Sequence, residues 1–247
     1  MASNHLKIAT FNIHKGVSSF GARLVLNKQR NLIRQLHADI VFLQEVRGAH
    51  KKHSQLTLSS QYEFLADSIW SDYAYGQNAL LSSGHHGNAI LSRYPIVSWE
   101  NTNVSAHTSE QRGLLHCEIA IPGWSQTLHC ICLHFGLFSS WRRQQLNALN
   151  HRINQMVPKD APLIVAGDFN DWQQEADYIL AQQQHLHEVF KRMHGAHARS
   201  FPSVLPLFAL DRIYARGFAV EQCKVHAGFG VANLSDHVAL TAELLRL

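Results

Sequence analysis

Charged residues are scarce in this chain, at 16% against about 25% in an average soluble protein. Neither a long basic insertion nor a lysine-rich loop occurs along it. The net charge of +4, with 18 histidines counted as neutral, is too small to mark a dedicated nucleic-acid binder. It still lets the protein approach an anionic substrate, more so as histidines gain protons toward pH of about 6.5. Cysteine is equally sparse. Cys117, Cys130, Cys132 and Cys223 contain no CxxC pair, which excludes the usual zinc spacing, and three of them lie in apolar alternating segments. They read as buried free thiols, since disulfides would require an oxidising compartment. The start MASNHLKIATFNI has no apolar leader core, and no apolar run approaches the roughly 18 residues that span a bilayer. A cytoplasmic protein without stable membrane insertion is therefore expected. Linkers and internal repeats are also missing, so residues 1–247 read as a single domain with one sizeable core. Its oligomeric state is not legible.

What is present is an interleaving of strand and helix signals. Strands are predicted over Leu6–Ile13, Asp39–Leu43, Asn88–Leu91, Ile96–Val104, Leu114–Ile121, Thr127–Leu133 and Leu163–Ala166. The last third repeats the pattern near Ala209–Tyr214, Phe218–His226 and His237–Leu245. Helical spacing covers Leu24–Leu36 and Trp141–Met156, the second with Ser139 or Ser140 as the expected N-cap. A hairpin is expected around Pro122-Gly123. Many strands joined by both hairpins and helices argue for an α/β sandwich with mixed sheets rather than a TIM barrel or a Rossmann fold.

Polar signatures sit at the ends of these apolar strands. A carboxylate, amide or imidazole there is held rigidly with its tip free for a ligand. Glu45 in LQEV is a strand-end carboxylate that must pair with a base or hold a cation. With Asn12 in TFNIHKG and Asp168 in GDFN it makes an all-oxygen set, which suits Mg²⁺ or Mn²⁺ and not zinc. In GDFN, Asp168 could take a proton from an attacking water while Asn170 holds the nucleophile or a phosphoryl oxygen; an Asx turn is the plainer reading. His237 follows Asp236 on one strand, so the two point apart, and Asp211 in LDRIY is the better partner. That pair either stabilises charge on a phosphoryl oxygen or is purely structural. Arg112 in QRGLLH is a phosphate contact or a surface arginine at a strand start. Asn88 could aim its amide at the same site. His85 and His86 have no evident partner, and His185/His187 and His194/His197 read as exposed.

Taken in order, TFNIHKG, DIVFLQEV, GNAILSRYPI, LHFG, VAGDFN, LDRIY and LSDH resemble the motifs of the endonuclease/exonuclease/phosphatase superfamily, along nearly the whole chain. The resemblance implies a four-layer α/β/β/α sandwich with two mixed sheets and a divalent-metal phosphoesterase. It implies Glu45 as the principal Mg²⁺ ligand, with Mn²⁺ as the alternative ion, and Asn12 and Asp236 close to the metal. It makes Asp168 and Asn170 the residues that orient or activate the nucleophile, and Asp211-His237 the polarising pair. His134 in LHFG matches a position placed against the phosphate.

Substrate choice is less legible. A nuclease acting on DNA or RNA is the first reading, with Trp141-Arg142-Arg143 as a small basic and aromatic cluster or an ordinary helix start. A phosphoesterase acting on a phospholipid or a small phosphate ester is the alternative, and SFPSVLPLFALDRIY offers either an apolar rim or core. A non-catalytic binding module ranks last, because Glu45, Asp168, Asn170, Asp211 and His237 are all present.

Overall fold

The structure, a computed structural model, describes residues 4–19, 23–48, 60–70, 72–81, 84–228 and 230–247. The chain opens with β1 (His5–Asn12), α1 (Leu26–Leu36), β2 (Ile40–Arg47), α2 (Gln61–Ile69), β3 (Asp72–Leu81) and β4 (Gly84–Ser92). It continues through β5 (Ile96–Asn103), β6 (Gly113–Ile119), β7 (Leu128–His134), α3 (Ser139–Met156), β8 (Leu163–Asp168) and α4 (Glu175–Gln184). It closes with β9 (His187–Glu188), α5 (Val189–His194), β10 (Asp211–Arg216), β11 (Phe218–His226) and β12 (Ala239–Arg246). The strands form two six-stranded mixed sheets, in the orders β11-β12-β1-β2-β4-β3 and β5-β6-β7-β8-β10-β9.

Burial on both faces explains why the central strands read as continuous apolar runs. Ile8, Ile40, Phe42 and Ile90 from the first sheet pack between the sheets against Leu115, Cys130, Ile164 and Ile213 from the second. The outer face of the first sheet, with Phe11, Val41 and Leu43, is covered by Leu32, Ile33 and Leu36 of α1 and Leu65 of α2. On the second sheet, Ile131, Leu133 and Val165 meet Leu146, Leu149 and Ile153 of α3 and Leu180 of α4. The layers therefore run helix, sheet, sheet, helix. Each buried leucine or isoleucine contributes about 1.5–3 kcal/mol, enough in aggregate to hold the strand ends in fixed positions.

Several sequence expectations shift in detail. Ser139 and Ser140 lie inside α3, whose N-cap is Phe138, with no side-chain cap. Gln145 instead ties α3 to the preceding loop by accepting from the Gly136 N–H at 2.8 Å. Strand β3 and helix α2 carry no expectation, because DYAYGQNALL mixes small, polar and aromatic residues without clean alternation. The segment Thr127–Leu133 does pair antiparallel with Leu114–Ile119, as the hairpin reading requires. All four cysteines are free, three of them buried.

Candidate active site

Strand register assembles the site. β7 runs parallel to β8 with His134 opposite Asp168, and β8 runs antiparallel to β10 with Asp168 opposite Asp211. Three polar residues from three adjacent strands thus end up side by side. Gly167 makes the β7–β8 approach possible: its φ is +148°, and a Cβ there would lie 2.0 Å from the Leu133 carbonyl oxygen.

Asp168 is the hub. Its Oδ2 accepts from Asn12 Nδ2 at 3.1 Å and lies 3.5 Å from His134 Nε2 and 3.7 Å from His237 Nε2. Its Oδ1 accepts from the Asn170 backbone N–H at 3.0 Å. Asn170 adopts a left-handed φ of 47° and donates its side-chain amide to the Phe135 carbonyl at 2.9 Å. His237 Nδ1 donates to Asp211 Oδ2 at 2.6 Å. His237 sits just before β12, and Asp236 does not bond it. Asp236 Oδ1 accepts from Ser235 Oγ at 3.3 Å and lies 3.8 Å from His14 Nδ1.

Burial by itself would strip the proton from His237, but the Asp211 and Asp168 carboxylates outweigh it and push the imidazole up to about 10. The ring is an imidazolium at neutral pH. Burial also raises the Asp168 carboxyl, against the pull of His237. His134 goes the other way, held neutral by burial and by the Arg112 charge.

Glu45 comes from β2 in the first sheet. It occupies a β-bulge in β2 between Leu43 and Val46, with a left-handed φ of 57°, two residues before the strand ends rather than at its tip. The bulge re-aims its side chain. Burial opposes its charge, yet His134 and Lys15 hold the carboxyl down at about 2. Because His134 is neutral, the cation facing Glu45 at neutral pH is Lys15, whose Nζ lies 3.3 Å from Oε2. That oxygen is buried, and among the described residues no group besides the Lys15 ammonium stands ready to donate to it. A buried anionic oxygen so sparsely satisfied suits a divalent cation. Among the described residues, the titratable group compact enough to hold an ion on geometry alone is Asp168–Asp211–His237, all within 4.8 Å. Its histidine is protonated between two carboxylates and so has no lone pair for a metal.

The expected phosphate contacts are differently engaged. Arg112 pairs with Glu110 at 2.9 Å and donates to the Phe135 carbonyl at 3.3 Å, so it lies beside the loop that follows His134. Asn88 is buried and donates its amide to the Gly113 and Cys132 carbonyls at 3.0 and 3.3 Å; only its carbonyl oxygen is unpartnered. His197 is not exposed as expected, because its ring is buried between Asp177 at 2.8 Å and Glu188 at 3.2 Å. Sequence reasoning gave no role to Lys15 or to buried Arg212. Arg212 donates to the Asp171 carboxylate at 3.1 Å and clamps the loop after Asn170. Lys15 lies within the quoted TFNIHKG motif, but its approach to Glu45 depends on left-handed backbone at His14 and Lys15 that no residue type announces.

With this geometry, a family model described as the endonuclease/exonuclease/phosphatase family matches residues 9–237. The chain belongs to the endonuclease/exonuclease/phosphatase family. The Escherichia coli (strain K12) protein YbhP is 46% identical over 242 residues, covering 96% of this chain and 95% of its own length. Among solved structures, an endonuclease/exonuclease/phosphatase from Beutenbergia cavernae DSM 12333 superposes with a TM-score of 0.78 at 20% identity, covering 98% of this chain and 72% of that one. A mannosyl-6-phosphatase from Bacteroides thetaiotaomicron VPI-5482 superposes with a TM-score of 0.71 at 17% identity, covering 97% and 99%. The structural likenesses bear out the four-layer sandwich fold, and the family match bears out the resemblance to the endonuclease/exonuclease/phosphatase superfamily.

Proposed function

We propose that the chain is a divalent-metal-dependent phosphodiester hydrolase, using Mg²⁺ or Mn²⁺. The observation that carries this reading is the Asp168 hub, where a carboxylate is fixed by Asn12 and Asn170 and flanked by the His237 imidazolium. Glu45 would hold the metal, with Asn12 and Asp236 as neighbouring oxygen donors. A divalent cation there supplies neutralisation of charge on the phosphate. Asp168 accepts the proton of a water as its oxygen bonds to phosphorus; the opposite P–O ester bond breaks, and the leaving oxygen takes a proton from solvent. His237, kept cationic by Asp211, donates to a non-bridging oxygen as charge builds there. His134 would donate its Nε2 proton toward the same oxygens.

Nucleic acid is one substrate for such a site. The cations expected to grip it are largely engaged within the chain, since Arg112 pairs with Glu110 and Arg143 with Glu175, while buried Arg142 donates to the Leu137 carbonyl. That favours the second reading, a phospholipid or a small phosphate ester. Incubating the protein with plasmid, single-stranded DNA, RNA, phospholipid and bis-p-nitrophenyl phosphate, each with Mg²⁺, Mn²⁺ or EDTA, tests both. Metal-dependent cleavage of any ester supports hydrolysis. Salt-sensitive plasmid nicking would favour the nuclease, and no turnover on the whole panel would refute the proposal.

A further inference from the structure

The loop that precedes Asp211 is built as a rigid hairpin with an apolar tip. Ser200 N–H donates to the Phe208 carbonyl at 2.7 Å, and Phe208 N–H donates back to Phe201 at 2.8 Å. The base is locked to the catalytic histidine: the Phe201 ring lies 5.0 Å from the His237 ring, and Ser203 N–H donates to the Asp236 carbonyl at 2.7 Å. Toward the tip, Val204, Leu205 and Leu207 are 60%, 65% and 52% exposed, and Phe208, which closes the base, is 45% exposed. Trp172, from the loop after Asn170, is 45% exposed and meets Phe208 edge-on at 4.9 Å. A hairpin pinned at its base cannot turn these side chains inward. Trp172, Leu207 and Phe208 also wall a cavity of about 400 Å³ that Arg199 borders. Arg199 is exposed and has no carboxylate partner among the described residues.

An apolar edge fixed beside a phosphate site needs an occupant. Val204, Leu205 and Leu207, the most exposed of these side chains, offer nothing to a base stack or to a sugar-phosphate chain, and the Trp172 and Phe208 rings already meet each other edge-on. A second copy of the chain is a poor fit, because stable interfaces take roughly 20–30 residues a side and this edge is a narrow tip. A lipid surface matches it well. Aliphatic groups enter the headgroup boundary, a tryptophan is at home there, and Arg199 and the net charge of +4 complement anionic headgroups. Among the described residues no helix is long and apolar enough to cross a membrane, so the contact is peripheral.

We propose that the Val204–Phe208 tip and Trp172 form a docking edge that seats the protein on an anionic phospholipid surface, with His237 and Asp168 facing the headgroup phosphates. The docking stands on its own; lipid phosphate as substrate rests on the hydrolase reading above.

The test is co-sedimentation of the full chain, in EDTA, with vesicles of phosphatidylglycerol and phosphatidylethanolamine, comparing wild type with Leu205→Ser and Leu207→Ser. Partitioning of the wild type is expected, with a loss on the order of tenfold for each substitution. Unchanged thermal melting of these surface variants would show that the loss is not misfolding. Absence of wild-type binding, or equal binding by the variants, would overturn the proposal. So would a wild-type dimer in sedimentation that the substitutions abolish, or DNA binding lost in their place. Bis-p-nitrophenyl phosphate turnover with Mg²⁺ is measured in parallel. Vesicle binding without turnover removes the hydrolase and keeps the docking edge; turnover without vesicle binding does the reverse.

Discussion

Asn12 Nδ2 donates to Asp168 Oδ2 at 3.1 Å, joining the last residue of β1 to the last residue of β8 and so tying the two sheets together at the site. Both residues are buried, so the bond has no water to replace it. Asn12→Ala should destabilise the protein by about 1–3 kcal/mol in urea unfolding. It should also slow turnover by roughly 100-fold through loss of Asp168 positioning. Wild-type values on both measurements would mean that the bond is incidental.

The Asp211–His237 pair predicts a protonation state that can be observed directly. With Asp211 in place the imidazole titrates near 10, so ring-nitrogen NMR should find it doubly protonated at pH 7 and still so at pH 8. Asp211→Asn removes the first of the charges that oppose burial, so the ring should lose its proton at lower pH than in the wild type. Turnover should then fall by about 10²–10⁴. A neutral His237 in the wild type at pH 7 would contradict the assigned role.

Lys15 supplies the positive charge facing Glu45, so Lys15→Met should have opposite effects with and without metal. In EDTA, thermal stability should drop, because Glu45 is left as a nearly buried carboxylate without a counter-charge. In a Mn²⁺ titration followed by calorimetry, affinity should rise on the order of tenfold, because a competing cation has gone. Weaker Mn²⁺ binding in the variant would show that Lys15 helps to hold the ion.

The buried His197–Asp177 contact predicts a pH window for stability. Burial works against both charges, but hydrogen bonds with Asp177 and Glu188 raise His197 above 6.5, while His197, Lys191 and Tyr214 bring Asp177 below 3.8. The histidine contribution is complete below its unfolded value and fades as pH climbs through the raised one. The aspartate contribution is complete above its unfolded value and fades as pH falls through the depressed one. The stability gap between wild type and His197→Ala should therefore be widest between 3.8 and 6.5, at about 1–3 kcal/mol, and narrow on either side in melting curves. A gap independent of pH would assign His197 to packing alone.

Much of the frame was legible because the inner strands are apolar on both faces and end in polar residues, as in LHCICLH before Phe135 and LIVAGD before Phe169. The chain order of these ends does not reveal which of them are neighbours. His134, Asp168 and Asp211 come together only through a parallel and then an antiparallel register, and that pairing depends on the whole sheet. The Glu45 bulge was hidden because a left-handed glutamate looks like any other in sequence. The pairing of Arg143 with Glu175 was hidden because it spans separate helices, and Arg142 turns inward to the Leu137 carbonyl, so the cluster on paper is not one basic surface. Leu205 and Leu207 could be read as rim or core, and only the backbone locking of their hairpin places them outside.

The most direct measurement is the initial rate of bis-p-nitrophenyl phosphate hydrolysis by wild type and Glu45→Gln, with Mg²⁺ and with EDTA. A carboxylate that holds the catalytic cation predicts wild-type turnover that EDTA abolishes and Mg²⁺ restores, and a loss of at least about 100-fold in Glu45→Gln with its melting profile intact. Glu45→Gln working at the wild-type rate, or hydrolysis indifferent to EDTA, would contradict the assignment.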